Sequence, residues 1–388
     1  MGFPSNVMNE PGLARALRAS FLCVIALASA FPLPAQDEYV RREAEQAELF
    51  AKDKDSGDFV VAPIPILNPT LGAGLALGAA YLYQIDEESY PSVSGIGALY
   101  TDNKSKAIAV GQSANFHGND WKIVGGLGAY DLNLEFYGVG SGAGNNDRFL
   151  PVNQKGWFAG VKALRRIKGD WYGGLSYAYV QVNSTFDLSG LLPGLPIELP
   201  SDVEFDSAIA TLGLAGEYDS RDSQFSATRG ALFKASFSTS NENIGSDFDF
   251  RTFRVAYNHY WSLKDTLVLA ARGSGCAVPG DAPYYALCKF GVFPDLRGYV
   301  AGRYRDETML AFQGEIRWHF SKKFSAIGFA GVGRVAESAS DFNFENLLPS
   351  FGAGVRYLLS EKNGLNISID YAYGKDSDAV YFFVGQAF

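Results

Sequence analysis

The sequence has little of the residue types that build metal sites, and it lacks a long apolar run. Its 388 residues include only 3 His, 3 Cys and 3 Met. No histidine lies near the cysteines, so a metal centre is not expected. No apolar run reaches the ~18 residues that a membrane-spanning helix needs. Neither a metalloenzyme nor a helical membrane protein is therefore expected.

Positive charge is also scarce. Lys and Arg number 33 against 42 Asp and Glu, which gives a formal net charge of -9 at pH 7 and a pI near 5.0. A nucleic-acid-binding surface needs the opposite balance, so nucleic acid is not an expected partner. Charged residues are 19% and aromatic residues 14% of the chain, fewer charges and more rings than a typical soluble domain carries.

The longest apolar segment, "FLCVIALASAF" at residues 21–31, follows two arginines and leads into small residues. This order predicts a secretory signal over residues 1–35, cut after Ala30 or Ala35, and hence an exported protein. Residues 36–58 are charged, free of proline and apolar on one helical face. They predict a short periplasmic helix or tether.

From residue 59 to residue 388 the apolar residues recur with a period of two, which predicts β-strands. In "TMLAFQGEIRWHF", for example, one face carries Leu310, Phe312, Ile316, Trp318 and Phe320, and the other carries Met309, Gln313, Glu315, Arg317 and His319. A soluble sandwich would bury the apolar face of such strands against a second sheet. A transmembrane barrel would turn that face to lipid and the polar face inward.

Three features favour the barrel. Aromatic residues gather at predicted strand ends, as the girdles of a membrane barrel do: Tyr81, Tyr83, Trp121, Trp157, Trp171, Trp261, Trp318 and Phe320. Short and long turns alternate, and the chain ends as a strand, "AVYFFVGQAF", with Val380, Phe382 and Val384 in phase with Phe388. The fold class is therefore predicted as all-β, a transmembrane antiparallel β-barrel of the bacterial outer-membrane type.

About sixteen strands are predicted, an even number that places both termini on the periplasmic side. Their approximate ranges are 58–67, 71–84, 91–101, 104–117, 119–136, 152–167, 170–185, 203–218, 227–240, 246–262, 265–275, 305–320, 322–336, 347–360, 364–374 and 378–388.

A basic segment, "PDLRGYVAGRYRDE" at residues 294–307, lies in the long loop before one of these strands. "YDSRDSQFSATRGALFKASF" precedes it at residues 218–237, and "GEIRW" and "FAGVG" follow on the next two strands. This order resembles the bacterial surface antigen barrel of the BamA/TamA superfamily, over roughly residues 58–388. Members of that family insert or translocate proteins at outer membranes. Residues 36–58 leave no room for its periplasmic POTRA domains, so a member without them is expected.

The resemblance implies that the basic loop folds back into the lumen and places its motif, Leu296, Arg297, Gly298 and Tyr299, on the barrel wall. A buried arginine needs a carboxylate, and Glu315 and Asp370 face inward on predicted strands. The family's own acidic residue in the F-x-D-x-G motif is replaced here by Gly331. The alternative is a solvated basic loop that touches lipopolysaccharide phosphates. Arg303 and Arg305 are expected at the surface.

Two further pairs of residues stand out. Cys276 and Cys288 are an even pair in an exported protein, which predicts a disulfide in the same loop.

Pro63 and Pro65, in the first strand, both lack an N–H group toward one neighbouring strand. That neighbour is either the second strand or the last strand, which carries Gly385 and Phe388, unless the two prolines lie beyond the paired length. If they face the last strand, the seam between first and last strands would be weak enough for lateral opening.

No catalytic constellation or cofactor is expected. Asp219, Arg221 and Asp222 share a turn and are interpreted as local ion pairs. The predicted function is insertion or translocation of a polypeptide or lipid at the outer membrane, through the lumen or the seam. Outer-membrane lipids and lipopolysaccharide are the expected surroundings. The alternatives are a passive diffusion pore and a membrane anchor for a separate periplasmic protein.

Overall fold

The computed structural model describes residues 58–68, 70–89, 92–145, 147–189, 202–223, 226–291, 295–343, 345–360, 365–375, 377–384 and 386–388. The predicted signal and nearly all of the tether lie outside these residues. No helix in the described part of the chain combines the length and the apolar character needed to cross a membrane.

Sixteen long strands form one antiparallel sheet, in which each strand pairs with the next one along the chain. They are β1 (Asp58–Asn68), β2 (Gly72–Tyr83), β3 (Ser92–Thr101), β4 (Lys106–Phe116), β5 (Trp121–Phe136), β6 (Leu150–Lys168), β7 (Trp171–Asp187), β8 (Asp202–Asp219), β9 (Gly230–Ser240), β10 (Phe250–Lys264), β11 (Leu267–Ala277), β14 (Thr308–Trp318), β15 (Phe324–Ala336), β16 (Leu348–Ser360), β17 (Leu365–Tyr373) and β18 (Asp378–Val384). Two short strands, β12 (Cys288–Lys289) and β13 (Arg305–Asp306), pair within the loop between β11 and β14. The predicted strand number is confirmed.

The sheet curls into a nearly closed barrel, because Cα atoms of β18 lie within 8 Å of Cα atoms of β1. β14 illustrates the two faces: Gln313, Glu315 and Arg317 are buried, while Phe312 is 57% and Trp318 54% exposed. Apolar side chains thus face lipid and polar side chains face the lumen, which confirms the predicted transmembrane barrel.

Two rims bound this barrel. We call the rim where β1 begins and β18 ends the near rim; it carries short turns such as residues 169–170 and 265–266. The opposite, far rim carries the long loops, including residues 241–249 and 278–307. The last strand is shorter than predicted, because it ends at Val384 and not at the chain's final residue.

Candidate functional site

Residues 278–307, which we call the lumen loop, fold into the barrel. Its largest apolar side chains are 0–1% exposed: Phe290, Leu296, Tyr299 and Tyr304. Gln154 on β6 donates to the Tyr284 hydroxyl at 2.7 Å, and the Tyr285 hydroxyl lies 2.7 Å from Ser207 Oγ on β8. The loop therefore extends into the lumen and binds wall strands that are not next to its own.

Arg297 lies at the centre of the contact between loop and wall and is 1% exposed. Its Nη2 donates to Glu315 Oε2 on β14 at 2.8 Å, and its Nη1 donates to Asp370 Oδ2 on β17 at 2.6 Å. Its Nε donates to Gln313 Oε1 at 3.3 Å. Both carboxylates selected from the sequence therefore bind the same guanidinium group.

Two more arginines share these carboxylates. Arg317 Nε donates to Glu315 Oε1 at 2.7 Å, and Arg356 donates to both oxygens of Asp370, at 2.5 and 3.2 Å. These ionised side chains are at most 2% exposed. Since buried charges are stable only when they are paired and hydrogen-bonded, the alternation of cations and anions holds the cluster together. Arg317 Nη2 also donates to the main-chain oxygen of Phe388 at 2.6 Å.

Phe329 on β15 is a partner of Arg297 that the sequence did not indicate. The guanidinium carbon lies 3.4 Å from the centroid of the ring, a cation–π contact. Gly331, two residues further on, stands where the family motif has its acid. A Cβ at Gly331 would lie 2.5 Å from Gln313 Cγ and 3.1 Å from Leu296 Cδ1. That space is therefore filled by these two side chains, and the negative charge comes from Glu315 on β14 and Asp370 on β17 instead.

Gly298 makes the turn that follows the arginine. Its φ of 100° lies in the region that favours glycine, and a Cβ there would lie 2.7 Å from the nitrogen of Gly374. The Gly298 N–H donates to the Tyr381 hydroxyl on β18 at 2.9 Å. The Tyr299 hydroxyl donates to the oxygen of Pro349 on β16 at 2.5 Å. Gly298 and Tyr299 thus add β18 and β16 to the strands that Arg297 already binds.

The same turn lies across the seam between β1 and β18. The Ala301 N–H donates to Thr70 Oγ1 at 2.9 Å, in the turn that joins β1 to β2. On the other side, Ser377 Oγ donates to the oxygen of Gly298 at 2.6 Å, just before β18 begins. Residues 298–301, which we call the strap, therefore bind both edges of the sheet.

Arg303 and Arg305 are buried, at 4% and 6% exposed, and the prediction that they lie at the surface was wrong. Arg303 Nε donates to the oxygen of Gly144 at 2.9 Å, and its Nη2 donates to Asp147 Oδ1 at 2.8 Å. Arg305 Nε donates to the oxygen of Gly302 at 2.8 Å. Oxygen atoms of the β5–β6 loop therefore accept from Arg303, and main-chain oxygens of the lumen loop itself accept from Arg305.

The strand register shows which neighbouring strand the nitrogens of Pro63 and Pro65 face, and these nitrogens carry no hydrogen. Pro63 pairs with Leu77 and Pro65 with Leu75. On the same strand as these leucines, the Ala73 oxygen accepts a main-chain N–H from the β3–β4 turn at 2.7 Å. Alternate residues of a strand bond toward the same neighbour, so both leucines bond toward β3. The nitrogens of their proline partners therefore face away from β2, toward the seam.

The seam carries no ladder in the part of the chain that the structure describes: the sheet order begins at β1 and ends at β18. Gly385 lies outside the described residues. The assignment of Phe388 to the seam was wrong, as was its expected phase with β18. Phe388 is 2% exposed and packs with Tyr260 and Ala270. Arg317 binds its main-chain oxygen and so holds it inside the barrel.

The turn at residues 220–229, on the near rim, is held by local contacts. Arg221 Nε and Nη2 donate to Asp219 at 2.8 and 2.7 Å. Asp222 accepts from the main chain and the hydroxyl of Thr228 at 2.9 and 2.6 Å. These contacts agree with the interpretation of the three charged residues as turn-forming. Within the described ranges, no cluster of three or more His, Cys, Asp or Glu could hold a metal ion.

Cys276 and Cys288 form a disulfide at the base of the lumen loop, across a sequence separation of 12. We expect their joint replacement by serine to lower the free energy of unfolding by about 3 kcal/mol, because the bond restricts the unfolded chain. Thermal unfolding, followed by the change in gel mobility of the heated barrel, measures the effect. The reduced wild-type protein should match the variant. An unfolding temperature unchanged in both would contradict the expectation.

Comparison with known proteins agrees with this architecture. Residues 115–388 match the model of the Omp85 superfamily domain. BamA from Haemophilus ducreyi lacking POTRA domains 1-3 is similar in structure (TM-score 0.56, 13% identity), over 86% of this chain and 70% of that one. CdiB from Escherichia coli is also similar (TM-score 0.53, 10% identity, 91% of this chain and 70% of that one).

CdiB from Acinetobacter baumannii is a third similar structure, with a TM-score of 0.52 and 9% identity over 84% of this chain and 59% of that one. At such identities the likeness concerns the fold alone. A search of curated proteins by sequence found no match. The superfamily match nevertheless spans well over half of the sequence. The resemblance noted in the sequence is therefore confirmed, and this chain belongs to the Omp85 superfamily.

Proposed function

We propose that this protein works in a bacterial outer membrane and inserts or translocates a polypeptide by opening the seam between β1 and β18. The observation that carries the proposal is the edge of β1. Pro63 and Pro65 turn nitrogens without hydrogen toward β18, while each of the other junctions in the described sheet is an antiparallel hydrogen-bonded ladder. The seam is therefore the weakest junction of the wall.

The lumen loop supports a lateral route over a passive pore. It is bonded to β6 and β8 through Tyr284 and Tyr285, and to β14 and β17 through Arg297. A disulfide fixes its base. A diffusion pore needs a continuous water path, and a loop anchored on opposite walls obstructs such a path.

The strap gives the lumen loop a part in gating. Ala301 binds the β1–β2 turn and Gly298 binds β18, so the two edges cannot separate unless one of these contacts breaks. Arg297 precedes the strap and fixes its position through buried charges. We therefore assign Arg297 and its carboxylates the role of holding the seam shut until a substrate displaces the strap.

Location and partners follow from the same proposal. The predicted signal over residues 1–35 would deliver the chain to the periplasm, and its lipid-facing apolar belt suits the outer membrane. Outer-membrane lipids and lipopolysaccharide would surround the barrel. Residues 36–58 are assigned to the docking of a periplasmic partner protein that hands over the substrate.

Depletion of the protein in its own cells tests the proposed function. The expected result is a loss of other proteins from the outer-membrane proteome before any change in the lipid asymmetry of that membrane. Loss of asymmetry with an unchanged proteome would identify a lipid as the substrate instead. If neither changes and the purified barrel shows a stable ohmic conductance in a planar bilayer, the protein is a passive pore and the proposal fails.

The double substitution P63V/P65V is expected to tighten the seam. Valine restores an N–H toward β18 at both positions, and each new hydrogen bond contributes about 1 kcal/mol. The variant should unfold at a higher temperature than the wild type and should complement depleted cells less well. Thermal unfolding by gel mobility and outer-membrane proteomics measure the two effects.

Pro151 provides a matched control for this variant. It is an exposed proline near the start of β6, far along the sheet from the seam. P151V should leave complementation at the wild-type level. If P63V/P65V complements fully although it unfolds at a higher temperature, opening of the seam is not part of the activity.

A further inference from the structure

Two cations face each other inside the lumen loop. Lys289 on β12 lies directly opposite Arg305 on β13, so both side chains project from one face of this small hairpin. Like charges in that arrangement destabilise a strand pair. Each donates to a main-chain oxygen, Lys289 to Tyr285 at 3.0 Å and Arg305 to Gly302 at 2.8 Å. Among the described residues, no carboxylate is bonded to either side chain.

The disulfide links this hairpin to the wall next to a third cation. Cys288 precedes Lys289 and is bonded to Cys276 on β11, and Cys276 is the register partner of Arg254 on β10. Register partners share a face of the sheet, so Arg254 projects into the lumen beside the disulfide. Burial, and then the charges of Arg305 and Arg254, lower the pKa of Lys289 well below its ordinary value.

Two donors at this position have no acceptor. Arg254 Nε and Ser274 Oγ are shielded from solvent and have no hydrogen-bond partner among the described residues. Ser274 is 7% exposed and lies two residues before Cys276, on the same face of β11. A buried donor without an acceptor is rare and unfavourable. The carboxylate on this side, Asp295, interacts electrostatically with Arg254, but its hydrogen bond is with Arg272, at 2.8 Å.

We propose that Arg254, Ser274 and Lys289 form a binding site for a phosphate group in the lumen, and we call it the anion site. Phosphate offers several acceptor oxygens on a tetrahedral centre, so it can receive donors from the wall and from the loop at once. A guanidinium, an ammonium and a hydroxyl are the donors that recognise such a group. Arg305 adds positive charge from across the hairpin. The bound group would join the lumen loop to β10 and β11.

Inorganic phosphate, added to the barrel purified in a nonionic detergent, tests the anion site. The unfolding temperature should rise saturably with phosphate at constant ionic strength, with chloride as the reference. R254Q and K289M should each weaken the apparent phosphate affinity about tenfold, since each removes a charge-assisted hydrogen bond. K106Q is the matched control, because the Lys106 side chain is 62% exposed on the outer face; it should bind phosphate as the wild type does.

A second arm identifies where the phosphate comes from. Micelles that contain short-chain phosphatidic acid are compared with micelles that contain the matching diacylglycerol, which lacks the phosphate. Greater stabilisation by the lipid than by inorganic phosphate assigns the site to a headgroup, and the reverse assigns it to the free anion. S274A removes a donor without changing charge and should weaken binding about fivefold. No saturable effect in either arm, or all three variants binding like the wild type, would overturn the proposal.

Discussion

Replacing Arg297 with alanine should lower the free energy of unfolding by about 3 kcal/mol, toward the lower end of what breaking a buried ion pair costs. Glu315 and Asp370 would stay buried, but each would keep one arginine, Arg317 or Arg356. The lumen loop would lose its central contact and the strap its fixed position. Thermal unfolding by gel mobility should show the lower stability, and depleted cells should be complemented poorly.

Arg148 offers the matched control, because it is an exposed arginine on a neighbouring far-rim loop. R148A should unfold like the wild type. R297K should fall between alanine and wild type, since a single ammonium cannot reproduce the planar fork that binds two carboxylates. Wild-type stability and full complementation by R297A would show that the buried cluster does not hold the loop.

Asp370→Asn should be at least as destabilising, at about 3–5 kcal/mol. Arg356 directs both of its Nη donors at Asp370, and Arg297 directs one. Asparagine keeps the size of the side chain but removes the charge, so three buried guanidinium groups, those of Arg297, Arg317 and Arg356, would remain with the single carboxylate of Glu315. Thermal unfolding compared with the wild type measures the loss.

Asp131 is the control for this substitution. It is partly exposed and lies 3.6 Å from both Lys106 and Lys155, an arrangement worth less than about 1 kcal/mol at a surface. D131N should therefore change stability little. The double variant R297M/D370N should be less unstable than the sum of its single variants. Strict additivity would mean that the two residues do not act on each other.

The strands were predictable because their constraint is local. A strand that separates lipid from a wet lumen must alternate, and β14 alternates without exception from Met309 to Trp318. The sequence therefore showed which residues face inward, and this selected Glu315 and Asp370 as partners of Arg297. That Arg297 contacts the wall at all was implied by the family resemblance, since no local sequence pattern tells whether a loop folds into the lumen or away from it.

The remaining contacts depend on residues that are distant in sequence. Burial of Arg303 follows from the Ala143–Asn145 turn, more than a hundred residues earlier. The inward position of Phe388 follows from Arg317. The direction of the two prolines could be decided only from the pairing of β1, β2 and β3. Composition and periodicity carry none of this information.

The unequal strand lengths have a consequence for the surrounding bilayer. β6 has 19 residues, whereas β18 has 7. At a tilt of ~40°, 7 residues rise only ~18 Å, against the ~25 Å apolar band of an outer-membrane barrel. Lipid chains beside β18 must compress or tilt to match this low stretch of wall. Acyl chains are therefore expected to be least ordered, and the hydrocarbon layer thinnest, beside that strand.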